Sequence, residues 1–181
     1  MTTRWKIPVT GATGNVGRHL VEQLVKVGAD VRVLVRNPAA EAFPAGAEVM
    51  RGDLADPASM EAPLRDVDAV FLLWPFLTAD PTAGLLAVIE RHAQRVVYLS
   101  ASGVDVDAEH QPTPIHQFHA ELERAVQRTG LDWVFLRLAS FASNNLGWAE
   151  QIRAGVVRSA GADEALAHHQ VTVTRQLARR G

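Results

Sequence analysis

The chain has no cysteine, which excludes disulfides, thiolate metal sites and a cysteine nucleophile. Tyrosine and lysine are almost as scarce: Tyr98 is the single tyrosine, and Lys6 and Lys26 are the only lysines. Long apolar runs are also missing, because the longest, residues 69–77, contains Pro75 and is too short to cross a bilayer. No signal-peptide apolar region opens the sequence, so we expect a cytoplasmic protein without a membrane partner.

The composition is typical of one folded domain. The chain has 181 residues, of which 48% are hydrophobic, and this is enough for a real core. A net charge of −2 indicates no polyanion-binding surface, so we expect no direct contact with nucleic acid. The histidines do not combine with carboxylates into a recognisable metal-binding pattern, and we expect no metal.

The most informative segment is residues 9–17, in which Gly11, Gly14 and Gly17 follow an apolar run and precede an amphipathic helix pattern. A strand, a glycine turn and a helix N-terminus form the usual site for a dinucleotide pyrophosphate. The turn admits the phosphates, and the helix amides face the anion. The spacing is GxxGxxG, whereas the standard fingerprint is GxGxxG, so the glycines alone are weak evidence. A glycine turn without a ligand is the alternative.

Short apolar strands alternate with helix-period segments along the chain. The predicted strands are residues 7–10, 31–35, 48–51, 69–73, 95–99 and 133–137, and the predicted helices are residues 16–27, 57–64, 83–93 and 117–128. This alternation predicts an α/β fold with a doubly wound parallel sheet. Pro8 has no N–H to donate, so we expect a local defect in the first strand. Residues 171–174 are a candidate for one further short strand.

Six motifs stand in order along the chain: the glycine run at 9–17, Leu-Val-Arg-Asn-Pro at 34–38, Arg-Gly-Asp-Leu at 51–54, Leu-Ser-Ala-Ser-Gly-Val at 99–104, His-Ala-Glu-Leu-Glu-Arg at 119–124 and the segment 130–137. Together they resemble the NmrA-like branch of the atypical short-chain dehydrogenases/reductases, over residues 5–158. The resemblance implies a Rossmann-like fold and NAD(P) binding. For many members it also implies NAD(P)H-dependent reduction of quinones, azo compounds or related small molecules. Other relatives are redox sensors that bind a nucleotide and regulate a partner protein.

The glycine loop and the resemblance together predict the cofactor-binding residues. These are Gly11, Ala12, Thr13, Gly14, Asn15, Val16, Arg36, Asp53, Leu54, Leu73 and Ser100. Arg36 follows the second strand, where an acidic residue would bind the ribose of NAD. Its cationic fork suits a 2′-phosphate, so we expect NADP(H) to be preferred over NAD(H). Asp53 resembles the family aspartate that meets the adenine ring, and Asn144 matches a position that lines the pocket. The alternatives are a solvated surface arginine for Arg36 and a turn residue for Asp53.

The sequence says less about catalysis than about binding. The Tyr-x-x-x-Lys pair of ordinary short-chain dehydrogenases is absent, so the proton must come from solvent or another acid. His119 is the candidate catalytic residue, which would donate a proton or bind a substrate oxygen, with Glu123 one helix turn away to orient it. A surface ion pair between the two is the alternative. Ser100 and Ser102 end the fifth predicted strand, either beside the ligand or only as strand-terminating residues.

After Arg158 the motifs of the family stop. This predicts an NAD(P)-binding Rossmann domain at residues 1–158 and an atypical C-terminal tail at residues 159–181. We expect the family's C-terminal substrate-binding segment to be missing, through truncation or a frameshift of the gene or because the domain is naturally minimal. Two functions stay open: an oxidoreductase that transfers hydride to a small-molecule acceptor, and a non-catalytic NADP(H)-binding sensor with a regulatory protein partner or an inactive fragment. A pocket without one wall would hold substrate poorly.

Overall fold

The computed structural model describes residues 4–40, 42–79, 82–139, 141 and 148–155, together with the backbone of residues 171–176. The strands are β1 (Lys6–Val9), β2 (Asp30–Val35), β3 (Ala47–Arg51), β4 (Ala69–Leu72), β5 (Arg95–Ala101), β6 (Asp132–Leu138) and β7 (Val171–Gln176). The helices are α1 (Asn15–Lys26), α2 (Thr82–His92), α3 (Pro114–Gln127) and α4 (Ala149–Arg153), with single 3-10 turns at Pro38–Ala40 and Pro57–Met60.

The strands form one seven-stranded sheet in the order β3-β2-β1-β4-β5-β6-β7. The first six strands are parallel, and the order reverses between β1 and β4, which is the topological switch point of a doubly wound sheet. The predicted α/β fold class is confirmed. Each of the six predicted parallel strands occurs with ends within two residues of those expected.

The seventh strand comes from the segment that follows the family motifs. β7 pairs antiparallel with β6, from Val171 opposite Leu138 to Gln176 opposite Trp133. It includes the candidate strand at residues 171–174, so this part of the predicted tail belongs to the sheet. The domain boundary at residue 158 stays a prediction.

One predicted helix is much shorter than expected. The segment 57–64 forms only a 3-10 turn at Pro57–Met60, which Asp56 caps by accepting a hydrogen bond from the Ala58 amide at 3.2 Å. Pro63 has no N–H to donate to a preceding turn, so a regular helix cannot continue through it. The apolar periodicity of this segment therefore did not predict its conformation.

Another helix begins earlier than expected. α3 starts at Pro114, three residues before the predicted start. The Thr113 hydroxyl caps it by accepting a hydrogen bond from the His116 amide at 3.2 Å. Proline is favoured in the first helical turn because its missing N–H would have no helical partner there.

The expected defect at Pro8 lies on the β4 side of β1. All four residues of β1 pair in register with β2, whereas only Val9 pairs in register with β4, opposite Phe71. Beyond this gap the Thr10 hydroxyl donates to the Leu73 carbonyl oxygen at 3.1 Å and accepts from the Leu73 amide at 2.8 Å. The Thr10 amide also donates to the Phe71 carbonyl oxygen at 3.1 Å, so the connection between β1 and β4 resumes after Pro8, and the Thr10 side chain extends it to Leu73.

Helices cover both faces of the sheet and bury two apolar clusters. One cluster lies under α1 and includes Val21, Val33 and Phe71; the other lies under α2 and α3 and includes Ile89 and Leu122. No helix within the described ranges is long and apolar enough to span a membrane. The cytoplasmic location stays a prediction.

Candidate functional site

The loop between β1 and α1 depends on two glycines for its shape. Gly11 has a φ of +61°, a left-handed conformation that favours glycine, and a Cβ there would lie 2.9 Å from the Leu73 side chain. Gly17 lets the first turn of α1 pack onto the loop, because a Cβ at this position would lie 2.2 Å from the Gly11 carbonyl oxygen. The fold itself therefore requires both glycines.

Gly14 has a different role, since it is the N-cap of α1. Its φ of −82° is open to any residue, and a Cβ would meet only the Gly11 carbonyl oxygen, at 3.3 Å. Gly14 has no side chain to cap the helix, so the positive end of the helix dipole is left open towards the loop. Together with the tight loop, this suits a pyrophosphate.

A cleft of about 620 Å³ lies beside the glycine loop, at the carboxyl ends of β1 to β4. Six of the predicted cofactor residues line it: Gly11, Ala12, Thr13, Arg36, Asp53 and Leu54. Gly14, Asn15 and Val16 begin α1 next to the loop, and Leu73 follows β4 and bonds to Thr10. Ser100 and His119 do not line this cleft. The binding roles of all these residues stay predictions.

Arg32 in β2 and Arg36 directly after it are on the same face by strand alternation, and only Arg36 lines the cleft. Its side chain is exposed, next to Asn37. Arg32 lies deeper and is buried, where its guanidinium donates to the Glu48 carboxylate at 2.8 Å and to the Pro63 carbonyl oxygen at 2.6 Å. Arg32 therefore holds the loop after the 3-10 turn in place, and Arg36 supplies the cationic group of the cleft.

Asp53 lies where its predicted role requires and is also the turn residue of the alternative interpretation. It lines the cleft, and its carboxylate also accepts a hydrogen bond from the Ala55 amide at 3.0 Å, as in an Asx-turn. One carboxylate can fix its own loop and still present its remaining lone pairs to a ligand.

The apolar wall of the cleft was missed in the sequence. Met60, Pro75 and Phe76 line it, and the Phe76 ring meets Trp74 edge-on with 4.9 Å between ring centroids. Pro75 and Phe76 follow β4, so the rule that ligands bind at the carboxyl ends of parallel strands could have indicated them. No pattern in the sequence pointed to Met60, which belongs to the same apolar cluster as Leu34 and Leu54.

The sequence predicted that Glu123 either orients a catalytic His119 or forms a surface ion pair with it. Both interpretations are wrong. Glu123 is fully buried rather than on the surface, and its carboxylate bonds to Ser100 and Arg137. Its carboxylate accepts from the Ser100 hydroxyl at 2.6 Å and from both Nε (3.0 Å) and Nη2 (2.5 Å) of Arg137. Ser100 and Arg137 are register partners on β5 and β6, so their side chains share the sheet face that α3 covers. These three side chains, Ser100, Glu123 and Arg137, form a buried cluster. Glu123 raises the pKa of the Arg137 guanidinium, because its carboxylate accepts hydrogen bonds from the charged form and attracts its positive charge.

His119 instead bonds to the single tyrosine. The Tyr98 hydroxyl lies 2.5 Å from His119 Nδ1, in an arrangement that joins the middle of β5 to the second turn of α3. Burial lowers the pKa of His119 to about 4, and the neighbouring His116 adds to this effect. Burial and the charge of Glu123 raise the pKa of Tyr98. The imidazole is therefore neutral at pH 7, which changes what His119 can contribute to a reaction.

Two further points concern residues predicted to bind ligands. Asn144, predicted to line the pocket, lies outside the described residues. Across the part of the chain that the structure describes, no three metal-binding side chains come together. The charged residues that line the described cleft are Arg36 and Asp53, and Thr10, Thr13 and Asn37 are its uncharged polar residues.

The sheet order, the glycine loop and the cleft at the switch point define a Rossmann-like dinucleotide-binding domain. A family model described as NAD(P)H-binding matches residues 11–175. The protein belongs to this NAD(P)H-binding family, in the NmrA-like branch of the atypical short-chain dehydrogenases/reductases, as the motifs predicted. The match extends past Arg158, where the motifs recognised in the sequence end.

Several of the similar proteins are named as reductases. A (4-alkanoyl-5-oxo-2,5-dihydrofuran-3-yl)methyl phosphate reductase of Streptomyces griseus is 41% identical over 171 residues, covering 89% of this chain and 57% of the relative. An NAD(P)H azoreductase of Xenophilus azovorans is 29% identical, covering 81% of this chain and 52% of the relative. An NADPH-dependent quinone oxidoreductase of Escherichia coli has a similar structure, with a TM-score of 0.67 and 27% identity, covering 80% of this chain and 51% of that one. The chain spans about half the length of these relatives.

Proposed function

We propose that the protein is an NADPH-dependent reductase that transfers hydride to a small quinone- or azo-type acceptor. The observation that carries this proposal is the cleft, in which the glycine loop and Arg36 line one cavity of about 620 Å³. The names of an azoreductase and a quinone oxidoreductase among the relatives support the acceptor class. The name of the 41% identical relative adds a conjugated dihydrofuranone to the acceptors worth assaying.

The residues of the cleft fit a dinucleotide. The loop around Gly11 and Gly14 would hold the pyrophosphate, since at Gly14 no side chain occupies the start of α1. Asp53 and Leu54 would hold the adenine end, and Arg36 would bind the 2′-phosphate. When bound, the cofactor supplies the hydride, and the protein binds it, orients it and excludes water.

Arg36→Ala is expected to weaken NADPH binding by about 1.5–3 kcal/mol and to leave NADH binding almost unchanged, because one charge-assisted contact to the 2′-phosphate is lost. Calorimetric titration of both cofactors measures this. Arg128→Ala is the matched control, since Arg128 is exposed at the far end of α3. Equal affinity of the parent protein for NADPH and NADH would contradict the proposed preference.

Turnover separates the reductase from the alternative sensor. We expect the protein to oxidise NADPH in the presence of a benzoquinone, an azo dye or the dihydrofuranone, with absorbance at 340 nm as the measurement and protein-free and acceptor-free mixtures as controls. Calorimetric binding of NADPH without turnover on any of the three would contradict the reductase and favour a nucleotide-binding sensor.

A further inference from the structure

Tyr98 and His119 form a polar pair that the cleft does not include. Tyr98 is fully buried in the middle of β5, and its hydroxyl lies 2.5 Å from His119 Nδ1. His119 is half-buried in the second turn of α3. One turn earlier, His116 Nε2 lies 2.9 Å from the Ser102 carbonyl oxygen and ties the start of α3 to the chain just after β5. The pair therefore lies one helix turn below the edge at which parallel sheets bind ligands.

The direction of the hydrogen bond follows from burial. The Tyr98 hydroxyl has no other hydrogen-bond partner among the described residues, so its hydrogen must point at His119 Nδ1 to be satisfied. A neutral imidazole that accepts at Nδ1 carries its own hydrogen on Nε2. Protonation of the ring would place a second hydrogen between Nδ1 and the tyrosine oxygen, and the buried hydroxyl hydrogen would lose its acceptor.

The charged neighbours favour the same state. On α3 itself, a positive charge on His116 would oppose a second one on His119. Glu123 faces Tyr98 from α3 and disfavours the tyrosinate, while Arg137 of β6 neutralises Glu123. α2 carries its charged residues in its last turn, at the opposite end of the sheet. The surroundings thus keep Tyr98 protonated and His119 neutral.

We infer that Tyr98 is a positioning residue that fixes His119 as a neutral hydrogen-bond donor, and that His119 Nε2 donates to the heteroatom of the acceptor as it is reduced. Nε2 has no partner among the described residues and is not sealed from solvent. The inference rests on the proposed reductase function.

The hydride brings two electrons to the acceptor and leaves NADP⁺. The negative charge that develops on the acceptor oxygen or nitrogen is stabilised by Nε2–H, and water supplies the proton. His119 begins and ends the reaction neutral, so of the two roles that the sequence left open, proton donor and ligand of a substrate oxygen, the inference takes the second.

Two substitutions of His119 distinguish a neutral donor from an acid. His119→Gln keeps an N–H donor that cannot be protonated, and it is expected to retain quinone reduction within about threefold, whereas His119→Ala loses about 100-fold, the usual effect of removing one such donor. NADPH affinity should not change in either variant. Wild-type turnover should be flat from pH 6 to pH 8, because a histidine with a pKa of about 4 does not titrate there. Equal loss in both variants, or turnover that falls as the pH rises through this range, would overturn the donor role.

Nuclear magnetic resonance of the histidine rings tests the positioning by Tyr98 without any turnover. In the wild type we expect His119 to titrate at about 4 and to hold one neutral tautomer, with Nδ1 unprotonated; Tyr98→Phe should populate both tautomers and lower turnover about tenfold. Titration of wild-type His119 near the 6.5 of free histidine would overturn the inference. If His119→Ala is as active as the wild type, the reductase stands and this inference fails. A wild type that binds NADPH but reduces nothing overturns both the proposed function and the donor role.

Discussion

Gly14→Val is expected to abolish NADPH binding and to leave the protein folded. The valine side chain would occupy the start of α1, where the pyrophosphate must approach the backbone. Losing two charge-assisted hydrogen bonds to the phosphates, at about 1.5–3 kcal/mol each, corresponds to a rise in Kd of about 100-fold or more. The native φ of −82° accepts valine, and the nearest atom to the new Cβ is the Gly11 carbonyl oxygen at 3.3 Å. The loss of stability should therefore be only about 1 kcal/mol, the usual cost of a poor N-cap residue.

Gly17→Ala is the matched control, because it should damage the fold instead. Its Cβ would lie 2.2 Å from the Gly11 carbonyl oxygen and 2.6 Å from the Ala12 Cα, and backbone atoms cannot rotate away as a side chain would. We expect a loss of about 3 kcal/mol or more in the free energy of unfolding. Urea unfolding followed by circular dichroism measures stability, and calorimetry measures NADPH binding, for both variants. A folded Gly14→Val protein that binds NADPH normally would mean that the phosphates bind elsewhere.

Glu123→Ala should destabilise the protein by about 3–5 kcal/mol, because removing one partner of a buried ion pair leaves the other uncompensated. Glu123 is fully buried and joins Ser100 of β5 to Arg137 of β6. The substitution therefore leaves both the Ser100 hydroxyl and the Arg137 guanidinium without their acceptor. Urea unfolding measures the loss. Combining it with Arg137→Met should recover part of the stability, since no buried charge then remains.

A second glutamate on the same helix provides the control for this prediction. Glu121 is exposed, and its carboxylate accepts from the Gln117 side chain at 2.8 Å. Glu121→Ala is expected to change the free energy of unfolding by no more than about 0.5 kcal/mol, as for other exposed helix pairs. If Glu123→Ala costs as little as this control, the buried cluster does not hold α3 to the sheet.

The spacing of His119 and Glu123 shows how far a helix pattern can be trusted. A separation of four residues correctly placed both side chains on one face of α3. The pattern contained nothing about what that face would meet. The partners turned out to be Tyr98, Ser100 and Arg137, and the register of β5 and β6 sets their positions. Two side chains expected to bond to each other therefore bond to the sheet.

By itself the sequence determined the parallel α/β fold, the glycine loop and the position of Arg36 after β2, because these depend on neighbouring residues: the period of apolar side chains, the freedom of glycine and the residue that ends a strand. Only the tertiary structure decided the apolar wall with Met60, the pairing of β7 with β6, and the partners of Glu123. The bonds of Glu123 join residues 14 and 23 positions apart. Such contacts depend on strand order and register, which arise when helices and sheet pack together and which no local pattern contains.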